Sequence, residues 1–205
     1  MATLLHSLRD RRAESRDRWR RLRNAATIDR LLFPPPASAF AHFGARSVIA
    51  PHARVQRPDR IHIGDDVVIH EHCWLSLVEF FEGRPPVLRI GNRVRMGRGC
   101  QVSVCGEIDI EDDVLISDAV HIGDTYHRYD VLGLTAKQQP MSEPEPVRVK
   151  RGALINLGAI VLHGVTIGQN AYVHARSVVT RDVPDGAVVI GNPARVVERG
   201  SAPWV

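Results

Sequence analysis

The sequence repeats itself every six residues. Large aliphatic residues stand at Ile63, Ile69 and Leu75, then at Ile90, Met96 and Val102, then at Ile110, Ile116 and Ile122. A longer run goes unbroken from Val149 through Ile155, Val161, Ile167 and Val173 to Val179. An α-helix returns its buried face about every 3.6 residues, so this spacing excludes one. Six residues suit one short strand and one corner, and three such blocks close a triangular coil. The blocks do come in threes. A second series of smaller residues lies two positions earlier, including Cys73, Cys100, Ala153, Ala159, Ala171 and Ser177. Small side chains belong where the interior narrows near a corner. Glycine follows the large residue at Gly64, Gly91, Gly97, Gly123 and Gly168, where the chain must turn. The pattern predicts an all-β solenoid, a parallel β-helix of five to six triangular coils stacked about 4.8 Å apart. Ile49, Val55 and Ile61 read as a first, irregular coil.

Two breaks in the repeat carry the special features. Between Leu75 and Ile90 lies a bulge with Phe80, Phe81 and Pro85-Pro86. Between Ile122 and Val149 lies a polar, turn-rich segment, read as a loop extruded over 123–147. A loop of that length in a regular solenoid is usually functional.

Outside the repeat, residues 1–45 read as an N-terminal helical arm and linker, and 199–205 as a C-terminal tail around a 46–198 β-helix domain. Residues 1–24 hold eight arginines against Asp10, Glu14 and Asp17. Leu5, Leu8, Trp19 and Leu22 fall near one helical face. Interspersed acids and an apolar stripe favour a short helix packed on the body or a neighbour over an arm for nucleic acid. Pro34-Pro35-Pro36 then breaks the segment from the coils.

Composition narrows the class. Of 205 residues, 44% are hydrophobic and 24% charged, which fits a folded globular chain and not a disordered one. No apolar run approaches the roughly 18 residues of a membrane span. Leu4-Leu5 passes into Arg-rich sequence too soon for a signal-peptide core. Three cysteines without regular spacing point to a reducing, cytoplasmic setting.

Three stretches near the C-terminus carry a resemblance. They are Ile155-Asn156-Leu157-Gly158-Ala159-Ile160-Val161-Leu162-His163-Gly164-Val165-Thr166-Ile167-Gly168, then Ala175-Arg176-Ser177-Val178-Val179-Thr180-Arg181-Asp182-Val183-Pro184, then Gly191-Asn192-Pro193-Ala194-Arg195-Val196-Val197. Together they resemble the hexapeptide-repeat (left-handed β-helix) acyltransferases, nearest the galactoside/maltose-type and polysaccharide O-acetyltransferases. The resemblance covers about residues 60–198. It implies left-handed coils, acetyl-CoA as donor, no metal, and a homotrimer with active sites between subunits. The implied reaction is direct acetyl transfer to a hydroxyl of a sugar, glycan precursor or similar small acceptor.

It also implies site residues. The segment Ile116 to His127 aligns without gaps to the family's segment ending in its catalytic histidine, which makes His127 the general base. The residues carried over for the cofactor are Ala175 and Thr180, with Arg181 and Arg195 on its phosphates. Imidazole titrates near neutrality, so it can take a hydroxyl proton and pass one to a departing thiolate. Tyr126, Tyr129 and Asp124 are its expected neighbours. His121, His163 and His174 sit on coil faces, although His163 could also line a pantetheine groove. Cys73 and Cys100 should stack in adjacent coils as buried apolar residues. Other readings of the same fold are an N-acetyltransferase acting on an amino sugar, a γ-carbonic-anhydrase-like metal enzyme and a non-catalytic scaffold. The close paired-His spacing of those metal enzymes is absent from His70, His72, His121 and His127.

Overall fold

The computed structural model describes residues 33–198 and Gly200. The predicted N-terminal helix and most of the tail lie outside the described residues. Six coils follow one another. The first contains β1 (His42–Phe43), β2 (Val48–Ile49) and β3 (Arg54–Val55). The second contains β4 (Ile61–Ile63), β5 (Val68–Ile69) and β6 (Trp74–Leu77). The third contains β7 (Val87–Ile90), β8 (Arg95–Met96) and β9 (Gln101–Val104), and the fourth β10 (Glu107–Ile110), β11 (Leu115–Ile116) and β12 (His121–Gly123). The fifth contains β13 (Val147–Val149), β14 (Leu154–Ile155) and β15 (Ile160–Val161), and the sixth β16 (Thr166–Ile167), β17 (Tyr172–Val173) and β18 (Val178–Val179). A hairpin of β19 (Val188–Gly191) and β20 (Ala194–Val197) ends the stack.

Every third strand pairs with its equivalent in the next coil, giving three parallel sheets that form the faces of a left-handed prism. Sheet 1 runs β1-β4-β7-β10-β13-β16, and sheet 2 runs β2-β5-β8-β11-β14-β17-β19-β20. Sheet 3 runs β3-β6-β9-β12-β15-β18. The sixfold series is the interior: Ile63, Ile69, Leu75, Ile155 and Ile167 have no exposed surface. The second series is equally buried, with Cys73, Ala153 and Ser177 at the same limit. Cys73 and Cys100 are free thiols, donating to the carbonyls of Gly97 and Ser117 at 2.9 and 3.0 Å.

One expectation is corrected. Ile61 does not close the first coil; it opens the second, pairing with Leu88, while Phe43 pairs with Ile63. The 3-10 turn Pro58–Arg60 lengthens the corner after β3, so the step from Val55 to its successor exceeds six.

The corners explain the glycines. A Cβ on Gly91 would lie 2.7 Å from the backbone nitrogen of Asp112 in the next coil, so only hydrogen fits. The adjoining carboxylates and amides link one coil to the next. Asp65 accepts from the N–H of Ala45, Asn92 from that of Asp65, and Asp112 from that of Asn92. Beside them Arg46 pairs with Asp66, and Arg93 and Arg151 both pair with Asp113. The corner is a ladder of alternating charge.

Candidate active site

The edge where sheet 3 passes to sheet 1 holds the functional candidates. Up this edge stand Arg57, the loop 78–86, Cys105-Gly106, the loop 124–146, His163-Gly164 and Thr180-Arg181. Both loops therefore leave the same edge, two coils apart, with the tight Cys105-Gly106 corner between them. Arg84 of the first loop lies over the Phe81 ring at 5.3 Å and pairs with Glu143 of the second at 2.9 Å.

The longer loop has internal structure. Its outgoing arm, 124–128, runs antiparallel to its returning arm, 140–145. Glu145 donates its N–H to the Asp124 carbonyl at 2.9 Å, Ser142 to that of Tyr126 at 2.9 Å, and Arg128 to that of Pro140 at 3.3 Å. His127 stands within this ladder, bridged to Met141. Its side chain is exposed. The tip projects apolar residues, with Tyr129 84% and Leu132 96% exposed.

Asp124 fixes the root. It is 0% exposed, and its carboxylate accepts from the N–H groups of Cys105 and Gly106 at 2.9 and 2.7 Å. Burial raises its pKa above the ordinary carboxylate value, against the opposing pull of those bonds. Asp124 therefore does not face His127; it ties the loop to the corner below. Cys105 is buried there and accepts from the Thr125 hydroxyl at 3.3 Å.

The sequence did not reveal what holds the arms from above. The His163 ring stacks on Tyr126 with centroids 4.7 Å apart and 29° between planes. Its Nδ1 is buried and lies 3.3 Å from Glu145 Oε2 without forming a hydrogen bond. Glu145 and His163 are 18 residues apart, one full coil of the repeat, so stacking brings them together; Tyr126, on the extruded arm, follows no period.

The remaining candidates divide. Thr180 and Arg181 share the edge of His127, two coils further on, and both are exposed. Ala175 lies at the other end of β18, on the neighbouring edge. Arg195 is on β20, opposite Ile190, with its guanidinium donating to the Ala194 carbonyl at 2.9 Å. His121 is half-buried on the outer face of β12 between Gln101 and Ile160, and desolvation lowers its pKa. Among the described residues, no three His, Cys, Asp or Glu side chains converge into a metal-holding group. No helix among them is long and apolar enough to cross a membrane.

Six-residue blocks and triangular coils give the chain the left-handed β-helix fold of the hexapeptide-repeat acyltransferases, to which it is similar. No protein-family profile matches the sequence. Over 144 residues, 70% of the chain, it is 33% identical to "Probable acetyltransferase Rv3034c" of Mycobacterium tuberculosis, covering 44% of that protein. Over 56 residues it is 46% identical to the 2,3,4,5-tetrahydropyridine-2,6-dicarboxylate N-acetyltransferase of Staphylococcus aureus, covering 23% of it. The chain thus spans less than half the length of these curated relatives.

Two solved structures show the same fold. The hexapeptide-repeat acetyltransferase VCA0836 of Vibrio cholerae, complexed with acetyl coenzyme A, superposes with a TM-score of 0.54 at 26% identity, over 79% of this chain and 72% of that one. AntD, an N-acyltransferase of Bacillus cereus in complex with dTDP and 3-hydroxybutyryl-CoA, gives 0.68 at 22% identity over 78% and 84%.

Proposed function

We propose that the chain transfers acetyl from acetyl-CoA to a hydroxyl of a sugar or similar small acceptor, with His127 as general base. The observation that carries this reading is the placement of an exposed imidazole on a tethered arm, on the same edge as Thr180 and Arg181. The likenesses to acetyltransferases support it.

In this reaction His127 takes the acceptor's proton as its oxygen attacks the thioester carbon. The carbon–sulfur bond breaks, and the imidazolium returns the proton to the leaving thiolate. Arg181 and Arg195 bind the donor's phosphates, for which a planar guanidinium suits paired oxygens. Thr180 and Ala175, at the two ends of β18, would contact the rest of the donor.

His127 and the apolar loop tip lie open in one chain. That supports a homotrimer in which a second copy completes each site. A second reading, transfer to an amino group of a sugar, is favoured by the resemblance to N-acyltransferases such as AntD. The deciding experiment follows thiol release from acetyl-CoA with paired hydroxy- and amino-sugars, and locates the acetyl group by mass spectrometry. Release with hydroxyl acceptors supports the first reading, and release only with amines the second. No release above spontaneous hydrolysis with any acceptor overturns both.

A further inference from the structure

We propose that His163 is a positioning residue for His127, clamping the two arms of the extruded loop so that the general base is turned outward, to the side opposite the clamp. The inference rests on the acyl-transfer reading above. Its structural part stands independently.

His163 is at the corner between the fifth and sixth coils, on the rigid prism and not on the loop. From there it meets both arms. Its ring stacks on Tyr126 of the outgoing arm at 4.7 Å, and its Nδ1 lies 3.3 Å from Glu145 of the returning arm. Glu145 is itself held to the corner, since its carbonyl accepts the N–H of Gly164 at 3.0 Å.

The arm is extended, as the His127–Met141 bridge shows. In an extended segment, adjacent side chains face opposite sides. With Tyr126 committed to His163, His127 is turned to the other side, where it is exposed. Without the clamp, backbone bonds between the arms would still pair them to each other. Asp124 and Thr125 tie the root to the corner below and Arg84 holds Glu143; the stacking of Tyr126 on His163 adds the contact that sets how the outgoing arm is rotated. His163 acts on His127 through Tyr126 and need not touch substrate.

The test uses the full chain with Tyr126→Ala, His163→Ala, His163→Phe and the double alanine variant. Hydrogen exchange of the Ser142 and Arg128 amides reads the arm directly. Exchange should accelerate about three- to tenfold in either alanine variant, the range expected for one aromatic contact. The double variant should add little, because both changes remove the same contact. His163→Phe keeps a ring and should recover most of the protection.

Turnover with acetyl-CoA and the acceptor identified by the thiol-release panel should fall in the alanine variants and recover with Phe. The acetyl-CoA KM should stay within about twofold, the signature of a lost orientation rather than lost binding. Tyr126→Ala is on the exposed arm and leaves the coils intact, so a folding failure of His163→Ala would not obscure the result. Unchanged exchange in both alanine variants overturns the clamp. Altered exchange with unaltered turnover overturns its role toward His127. Altered exchange with no transferase activity in any form, wild type included, overturns the acyl-transfer reading while the clamp stands.

Discussion

Asp124 and His127 are three residues apart and have opposite environments. His127 is exposed on its arm, where an imidazole can exchange a proton with a substrate. Replacing it with alanine should lower turnover by about 10²–10⁴ with donor KM little changed, the usual effect of losing a general base. Steady-state kinetics against His121→Ala, expected to lose less than about tenfold, would separate the two. Asp124 has no surface and caps two N–H groups. Asp124→Ala should cost about 1–3 kcal/mol in chemical denaturation, because those donors lose their acceptor in the interior. A third residue sets a pH dependence. Burial lowers the pKa of His121, so the folded state resists protonation while the unfolded chain accepts it. Stability is therefore full above the ordinary histidine value of about 6.5 and declines as pH falls from there toward the folded pKa. His121→Gln should flatten that decline in denaturation midpoints measured between about pH 7 and pH 5.

At the scale of strands and corners, the repeat was legible because inward residues must be aliphatic at every sixth place. Met96 and Val102 announce their strands as plainly as Ile63 does. The glycines were legible too, although their cause was not. Gly91 turns out to be small because the next coil's backbone presses on it, which no single block reveals. Gly91→Ala should destabilise the fold by about 1–3 kcal/mol, measured by thermal melting, since the facing atoms are main chain and cannot swing aside. The slip at Ile61 was not legible, because a 3-10 turn adds residues without disturbing hydrophobicity. Nor were the antiparallel arms of the long loop, whose pairing of Tyr126 with Ser142 follows no period. His127 was reached by alignment from the regular coil before it, and Thr180 and Arg181 by motif. Their common edge is a property of stacking, visible only once the coils were counted.

For the whole molecule, the outer faces differ in character. Sheet 1 presents a charged row, with Arg89 pairing Glu107 and Asp109, and Arg148 pairing Asp109. Sheet 2 instead presents Val48 at 56% and Leu115 at 46% exposure. Their outward row, through Val68 and Leu154, is apolar except for the exposed Arg95, and exposed apolar surface is where a second copy would pack. Light scattering should give a particle of three times the chain mass of 22.8 kDa. A stable monomer that turns over acetyl-CoA with full activity would refute the shared site. The two loops that leave one edge of the prism have a separate consequence. The coils can keep their places while chain is spliced in at that edge, because the backbone bonds that pair the strands lie on the three flat faces. The edge therefore works as a socket. Loops of other lengths can be fitted there by insertion alone, and the corners that anchor them, built from neighbouring coils, need not be rebuilt each time.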